Sequence, residues 1–397
     1  MKHELLQLGL PIASSLGLFT GRVSVPPALL RPALIIAKFL GLFRLARYFT
    51  GNGLRIICYH GIAVAEEYKY RSRLFIHREL FRRRIEYLQY KRYPILPLGE
   101  AVEALAQGRL PSCATVVTMD DGWEGVYSVA LPIIKELEVP VTVYVPTFYV
   151  VHPMPVFTVT LSYLFWRTTA RRVDLPRGLG EFALDSDAEQ AEALAQEVGG
   201  TLTAAERLQF LKEMAEALDV SFAEIETQRL FRAVDKHQLR QLADAGVDIQ
   251  LHSHRHQWSV DDSRTTVEAE IADNRRFLEQ VVSRPLEHFC YPSGIHTLHQ
   301  GEWLAALGVK SATTIEPGLN YPDTPRFALR RMVDGHPVSD IEFEAEMTGF
   351  MEIVRALRER RFLGMLRCRL RAYCADARSG TPRSDDENRT PEPGRSS

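Results

Sequence analysis

Val116-Val117-Thr118-Met119-Asp120-Asp121-Gly122-Trp123 sets an apolar, β-branched run directly against two adjacent carboxylates and a glycine. The run reads as a buried strand and the glycine as the turn that ends it. Two carboxylates buried side by side are costly unless a cation lies beside them, or unless one serves as a base and the other as a ligand. A solvated surface turn is the plainer reading of Asp-Asp-Gly, and the rest of the chain must decide between them.

Working outward, Leu54-Arg-Ile-Ile-Cys-Tyr-His60-Gly61 is a second apolar run that stops at a polar residue and a glycine. Between the two runs, Leu80, Phe81, Ile85 and Leu88 recur at helical spacing over Arg78 to Tyr90, and a second helix is expected over Gly99 to Gln107. A helix over Leu131 to Glu138 and a β-branched strand over Val139 to Val145 follow. The alternation of strand and helix predicts parallel βα units. Regularity lapses from about Pro146 to Asp235, where capping boxes at Thr203/Glu206 and Ser221/Glu224 mark helices. Ninety residues exceed any βα connection, so this stretch reads as a helical insertion. The pattern then resumes with helix Lys236 to Ala245, strand Val247 to Leu251, helix Thr266 to Val281, strand Leu286 to Tyr291 and helix Glu302 to Leu307.

The 397 residues are 46% hydrophobic, enough for a large core, and the net charge of −2 gives no sign of a nucleic-acid partner. Five cysteines without a CxxC pair argue against a disulfide framework or a zinc ribbon and for a reducing compartment. Near the N-terminus, Leu5 to Phe19 and Leu29 to Leu45 are apolar, but Arg31, Pro32, Lys38 and Arg44 interrupt the second and neither makes an unbroken membrane span. Residues Ile353 to Ala377 read as a basic amphipathic helix, with packing on the barrel or attachment to a membrane surface as alternatives. The expected organisation is a helical segment over 1–50, a barrel over 51–345 with its insertion at about 150–235, the basic helix over 346–376 and a polar tail over 377–397. A cytoplasmic or inner-membrane-associated location is expected, with peripheral membrane association through the basic amphipathic termini.

Chemistry is carried by a second cluster, His252-Ser253-His254-Arg255-His256, again at the end of an expected strand. Imidazoles ligate divalent metals well, and two histidines plus one carboxylate leave a position open for water. Side chains at the carboxyl ends of parallel strands converge on one face. Alternation along an extended chain sends the Asp120 and Asp121 side chains different ways, so the two divide into base and ligand. A third piece, His288-Phe-Cys290-Tyr291-Pro-Ser293-Gly294, ends an apolar strand in a turn that can offer a backbone N–H to a developing oxyanion. Trp123, Trp258 and Tyr291 neighbour these clusters and are candidates for stacking on sugar rings, or for packing.

In this order the clusters resemble the polysaccharide deacetylase family, also called the NodB-homology or carbohydrate esterase 4 family. The resemblance covers roughly Leu54 to Asp340 apart from the insertion. It implies a distorted, TIM-like (β/α)7 barrel whose helical insertion lies between the first and second motifs, with Asp120 as base and with Asp121, His252 and His256 as ligands of a divalent metal. Zinc is the expected ion, with cobalt, manganese or nickel as substitutes. Ser293 would offer its N–H to the oxyanion. Cys290 stands where some members carry an orienting arginine, so Arg330 or Arg331 is the substitute, with Arg331 preferred. The general acid would be His60, with His336 as the alternative. The implied activity is removal of N-acetyl groups from N-acetylhexosamine units of an acetylated oligo- or polysaccharide. A catalytically weak glycan-binding scaffold and a hydrolase of a non-sugar amide are the competing readings.

Overall fold

The computed structural model describes residues 27–183 and 188–358, and its centre is a curled, seven-stranded parallel sheet. We number the strands of this sheet β1 (Arg55–Tyr59), β2 (Thr115–Met119), β3 (Val141–Val145), β4 (Asp248–Leu251), β5 (His288–Cys290), β6 (Ser311–Thr313) and β7 (Met332–Val333). Their spatial order is β6-β5-β4-β3-β2-β1-β7. Six strands thus follow chain order without reversal, which is the winding of a barrel and not of a doubly wound sheet. The last segment spans the seam. Leu329 N–H donates to Ala312 O at 2.9 Å, Thr314 N–H to Leu329 O at 2.9 Å and Arg331 N–H to Glu316 O at 2.9 Å, and β7 then pairs with β1.

Every residue of β1, β2 and β3 is buried, as expected where helices cover the outside of a parallel sheet and side chains fill its inside. Helix Arg78–Tyr90 forms over its predicted residues and buries Leu80, Phe81, Ile85 and Leu88. The predicted helix Leu131 to Glu138 is shorter, Leu131–Glu136, and a π-helical turn at Val126–Ala130 precedes it. Glu138 takes φ +52°, and a residue in the left-handed region ends a helix.

Between β3 and β4 the chain builds a separate layer. Helices Phe157–Arg167, Ala188–Thr201 and Ala204–Ala217 pack around a core that includes Phe157, Leu161, Leu164, Phe210 and Met214. The helix starting at Ala204 carries the predicted capping box of Thr203 and Glu206. An antiparallel hairpin, Arg172–Leu175 with Gly180–Ala183, was not predicted. Its first strand alternates exposed and buried residues over only four positions, too few for periodicity to register. The layer is tied to the opening motif: Val234 N–H donates to Gly122 O at 2.8 Å and Glu124 N–H to Arg232 O at 2.8 Å.

Two helices, Pro27–Phe39 and Leu42–Phe49, precede the barrel, and Asp340–Met347 and Phe350–Arg358 follow it. Arg55 ties the end of the second helix to the end of the third by donating to Thr50 Oγ1 at 3.0 Å and to Met347 O at 2.7 Å beside the start of β1. The expected helix from Ile353 begins three residues earlier, at Phe350. Its continuation beyond residue 358, the tail over 377–397 and the first 26 residues lie outside the described residues. Among the described residues no helix is long and apolar enough to cross a membrane.

Candidate active site

Asp120 follows β2 and extends its ladder, donating its N–H to Tyr59 O at 2.9 Å. Asp121 and Gly122 then both enter the left-handed region, at φ +69° and +59°. The expectation from strand alternation was that the two carboxylates diverge, and they do, but by this turn. The turn fits tightly. A Cβ added to Gly125 would lie 1.7 Å from the Ile62 carbonyl oxygen.

Asp121 turns toward the loop after β4. Its Oδ1 lies 3.3 Å from His252 Nε2 and 3.1 Å from His256 Nε2, and no hydrogen-bond donor reaches this buried oxygen. Trp123 Nε1 donates to the other oxygen at 3.0 Å. His252 Nδ1 lies 2.7 Å from Cys290 O, a group that can only accept, so the ring proton resides on Nδ1 and Nε2 keeps its lone pair. Helix Arg264–Leu278 fixes the loop: Asn274 Oδ1 accepts from His252 N–H at 3.1 Å, and Glu270 Oε2 accepts from the N–H groups of His254 and Arg255. Ser253 Oγ accepts the His256 N–H at 3.1 Å, bending the chain so that the second ring meets the first.

A buried carboxylate oxygen without a donor and two imidazole nitrogens, all within 4.8 Å of one another, fit a divalent cation. Two histidines and a carboxylate are a common zinc set that leaves coordination positions open. Burial alone would raise the Asp121 carboxyl, yet the His256 ring beside it holds it well below the ordinary range.

Asp120 turns the other way, into the barrel, where it is 2% exposed. Arg331, fully buried, donates Nη1–H to Oδ1 and Nη2–H to Oδ2, each at 2.7 Å. The guanidinium is itself held by Thr314 O at 2.7 Å and Thr118 Oγ1 at 3.2 Å. Two thiols also reach Asp120 Oδ2, Cys290 at 3.3 Å and Cys58 at 3.4 Å. Burial pushes the Asp120 carboxyl up, and Arg331 outweighs it and holds the group well below the usual carboxylate range. Asp120 is therefore an anion fixed in place. Burial pushes both thiols up, so they stay protonated as weak donors.

The structure brings His60 to this site, with Nε2 3.8 Å from Asp120 Oδ2 and the ring partly exposed. His336 stands elsewhere, packed on Tyr68 at 4.7 Å with its N–H donated to Ser72 O. Arg330 gives its N–H to Asn320 Oδ1, and of the two arginines it is Arg331 that meets Asp120. Ser293 lies in the exposed turn after β5 with φ +56°. His254 lies outside the His–Asp set and meets Thr147 Oγ1 at 2.8 Å.

Of the two readings of the aromatic residues, stacking on sugar rings or packing, Trp123 and Tyr291 follow packing. Trp123 is buried against Phe75, and Tyr291 is buried between Phe289 and His296. Trp258 packs on Phe289 and Tyr291, with Nε1 donated to Gln300 Oε1 at 3.3 Å. The ring that a strand-end reading passes over is His296, partly exposed and stacked on Tyr291 at 5.1 Å. Cys58 was missed as well. A cysteine inside an apolar strand carries no signal of which way it faces.

The family model described as Polysaccharide deacetylase matches residues 204–312, which hold His252, His256 and the turn at Ser293. Among solved structures, the Streptococcus pyogenes deacetylase PplD in complex with acetate is 18% identical with a TM-score of 0.51, over 74% of this chain and 98% of its own. IcaB from Ammonifex degensii is 19% identical with a TM-score of 0.49, over 75% and 97%. No curated protein matches in sequence. The matched segment, set in the shared barrel fold, shows the resemblance to the polysaccharide deacetylase family, the NodB-homology or carbohydrate esterase 4 family, that the motifs carry.

Proposed function

We propose that the protein is a metal-dependent hydrolase that removes N-acetyl groups from N-acetylhexosamine units of an oligo- or polysaccharide. The observation that carries this reading is the division of the two adjacent carboxylates, Asp121 with His252 and His256, Asp120 with Arg331, at one end of the barrel. Asp121, His252 and His256 would hold the ion, and zinc suits that donor set best, with cobalt, manganese or nickel as substitutes. When bound, such an ion acts as a Lewis acid that polarises a carbonyl and lowers the pKa of water.

The chain's own residues supply the remaining work. Asp120 Oδ2 is occupied by Arg331 and the two thiols, whereas Oδ1 gives one acceptor site to Arg331 and keeps another, with which the carboxylate takes a proton from the attacking water. The water oxygen bonds to the amide carbon, and the Ser293 N–H donates to the oxyanion that forms. His60 gives a proton to the departing nitrogen, the C–N bond breaks, and acetate and a free amine result.

The test is acetate release by the purified chain with added zinc or cobalt. Release from N-acetylglucosamine oligomers, exceeding that from O-acetylated sugars and simple acetamides, is expected. Oligomer binding without release would leave a glycan-binding protein instead, and preferential release from the acetamides would make it a hydrolase of non-sugar amides.

A further inference from the structure

The two helices ahead of the barrel are apolar on more faces than the fold covers. Leu34, Ala37 and Phe43 are buried in a cluster with Ala345 of the C-terminal helices, Ala46 is buried as well, and Phe43 meets Phe350 at 5.1 Å. Arg31 and Lys38 flank that buried stripe and pair with Glu342 and Glu344. At 100° per residue, Leu29, Ile35, Ile36 and Phe39 fall on the opposite side of the first helix, and they are 57–90% exposed. Leu40 in the turn and Leu45 in the second helix are exposed as well. Eight of the eighteen exposed large apolar side chains of the described chain lie within residues 27–49. A helix apolar on both sides belongs in a core or at a bilayer surface.

Charge indicates what covers this face. Residues 27–49 contain Arg31, Lys38, Arg44 and Arg47 and no acidic residue. Arg47 donates to the main-chain oxygens of Lys91 and Arg92, which brings Tyr90, 80% exposed, and two further basic residues beside the second helix. The described chain leaves this same helical layer at Arg358, and the sequence from Arg360 to Arg378 holds six arginines and one acidic residue, Asp376. Exposed apolar side chains on helices whose own charges are all basic, with an exposed tyrosine beside the second helix, complement an anionic lipid surface.

We infer that the helix pair 27–49 docks the protein peripherally on an anionic phospholipid bilayer through the exposed side chains of Leu29, Ile35, Ile36, Phe39, Leu40 and Leu45. The pair leads into the start of β1, whereas Asp120 and Asp121 stand at the far ends of the strands. Docked this way, the protein turns its candidate active site away from the lipid, toward a glycan approaching from water.

Flotation of the full chain with phosphatidylcholine vesicles, with and without phosphatidylglycerol, tests the inference independently of any catalysis. The chain is expected to float with the anionic vesicles, and Ile36→Asp/Phe39→Asp to weaken that binding at least about tenfold with an unchanged melting temperature. Leu179→Asp, a charge placed on an exposed leucine of the insertion, should bind as the parent does. Three results would overturn the inference. The double variant could float as well as the parent, the parent could stay free of vesicles as a monomer, or light scattering could show a dimer that the double variant dissociates.

Discussion

Arg331 grips both carboxylate oxygens of Asp120 at 2.7 Å from 211 positions further along the chain, and both side chains are buried. This one contact links the seam of the barrel to its candidate active site. The segment that carries Arg331 also hydrogen-bonds to β6 on one side and leads into β7 on the other.

Removing Arg331 leaves an uncompensated buried carboxylate. Arg331→Met is expected to destabilise the fold by about 3–5 kcal/mol, and an Asp120→Asn/Arg331→Met pair to restore most of that loss. If Arg331 orients the base, Cys290→Ala, which removes only a weak thiol contact, should lower acetate release by less than about tenfold, against a hundredfold or more for Arg331→Met. Denaturant midpoints and kcat for the variants decide it, and equal kcat losses would make Cys290 the orienting group.

Trp123 holds the Asp121 carboxylate by its indole N–H. Trp123→Phe keeps the ring against Phe75 and loses only that donor, so zinc affinity is expected to fall about ten- to a hundredfold. Competition with a chromophoric chelator measures this. An unchanged affinity would show that the indole only packs.

Gly125 has an ordinary helical φ of −64°, so its requirement is space and not backbone freedom. An added methyl would meet the Ile62 carbonyl, a main-chain atom that cannot swing aside. Gly125→Ala should lower stability by about 3 kcal/mol or more, read as a shift of the urea midpoint at constant slope.

Asp334, just past β7, predicts a pH effect. Burial raises its carboxyl to about 6, although Arg84 Nε donates to it at 3.1 Å and opposes the rise. A carboxyl raised above its unfolded value of about 3.9 binds its proton more tightly in the folded chain, so its contribution is full below that pH and is lost as the pH rises through about 6. The loss amounts to about 3 kcal/mol. Asp334→Asn removes the titration, and the difference between parent and variant stability should shrink by that amount from pH 4 to 7. A difference that stays constant would show the carboxyl titrating normally.

Most of the candidate site was legible because strand-end residues announce themselves: an apolar run, then Asp120-Asp121-Gly122 or His252-Ser253, marks where a parallel strand stops. Arg331 was harder. Arg330 and Arg331 are neighbours on an extended segment, and only the register against β1 and β6 decides which one points inward. Trp123 and Tyr291 could be read either way, because an aromatic beside a motif looks the same in sequence whether it faces substrate or core. The hairpin at Arg172–Ala183 and the π-turn at Val126–Ala130 escaped for another reason, being short elements shaped by their tertiary neighbours and not by local periodicity.

The central claim is that adjacent carboxylates do separate jobs, and Asp120→Asn tests it most directly when metal content and acetate release are measured on the same preparation. The account predicts one zinc per chain, as in the parent, with release from N-acetylglucosamine oligomers reduced at least about a hundredfold. A variant that still released acetate at the parental rate, or that lost its zinc, would contradict the division between Asp120 and Asp121.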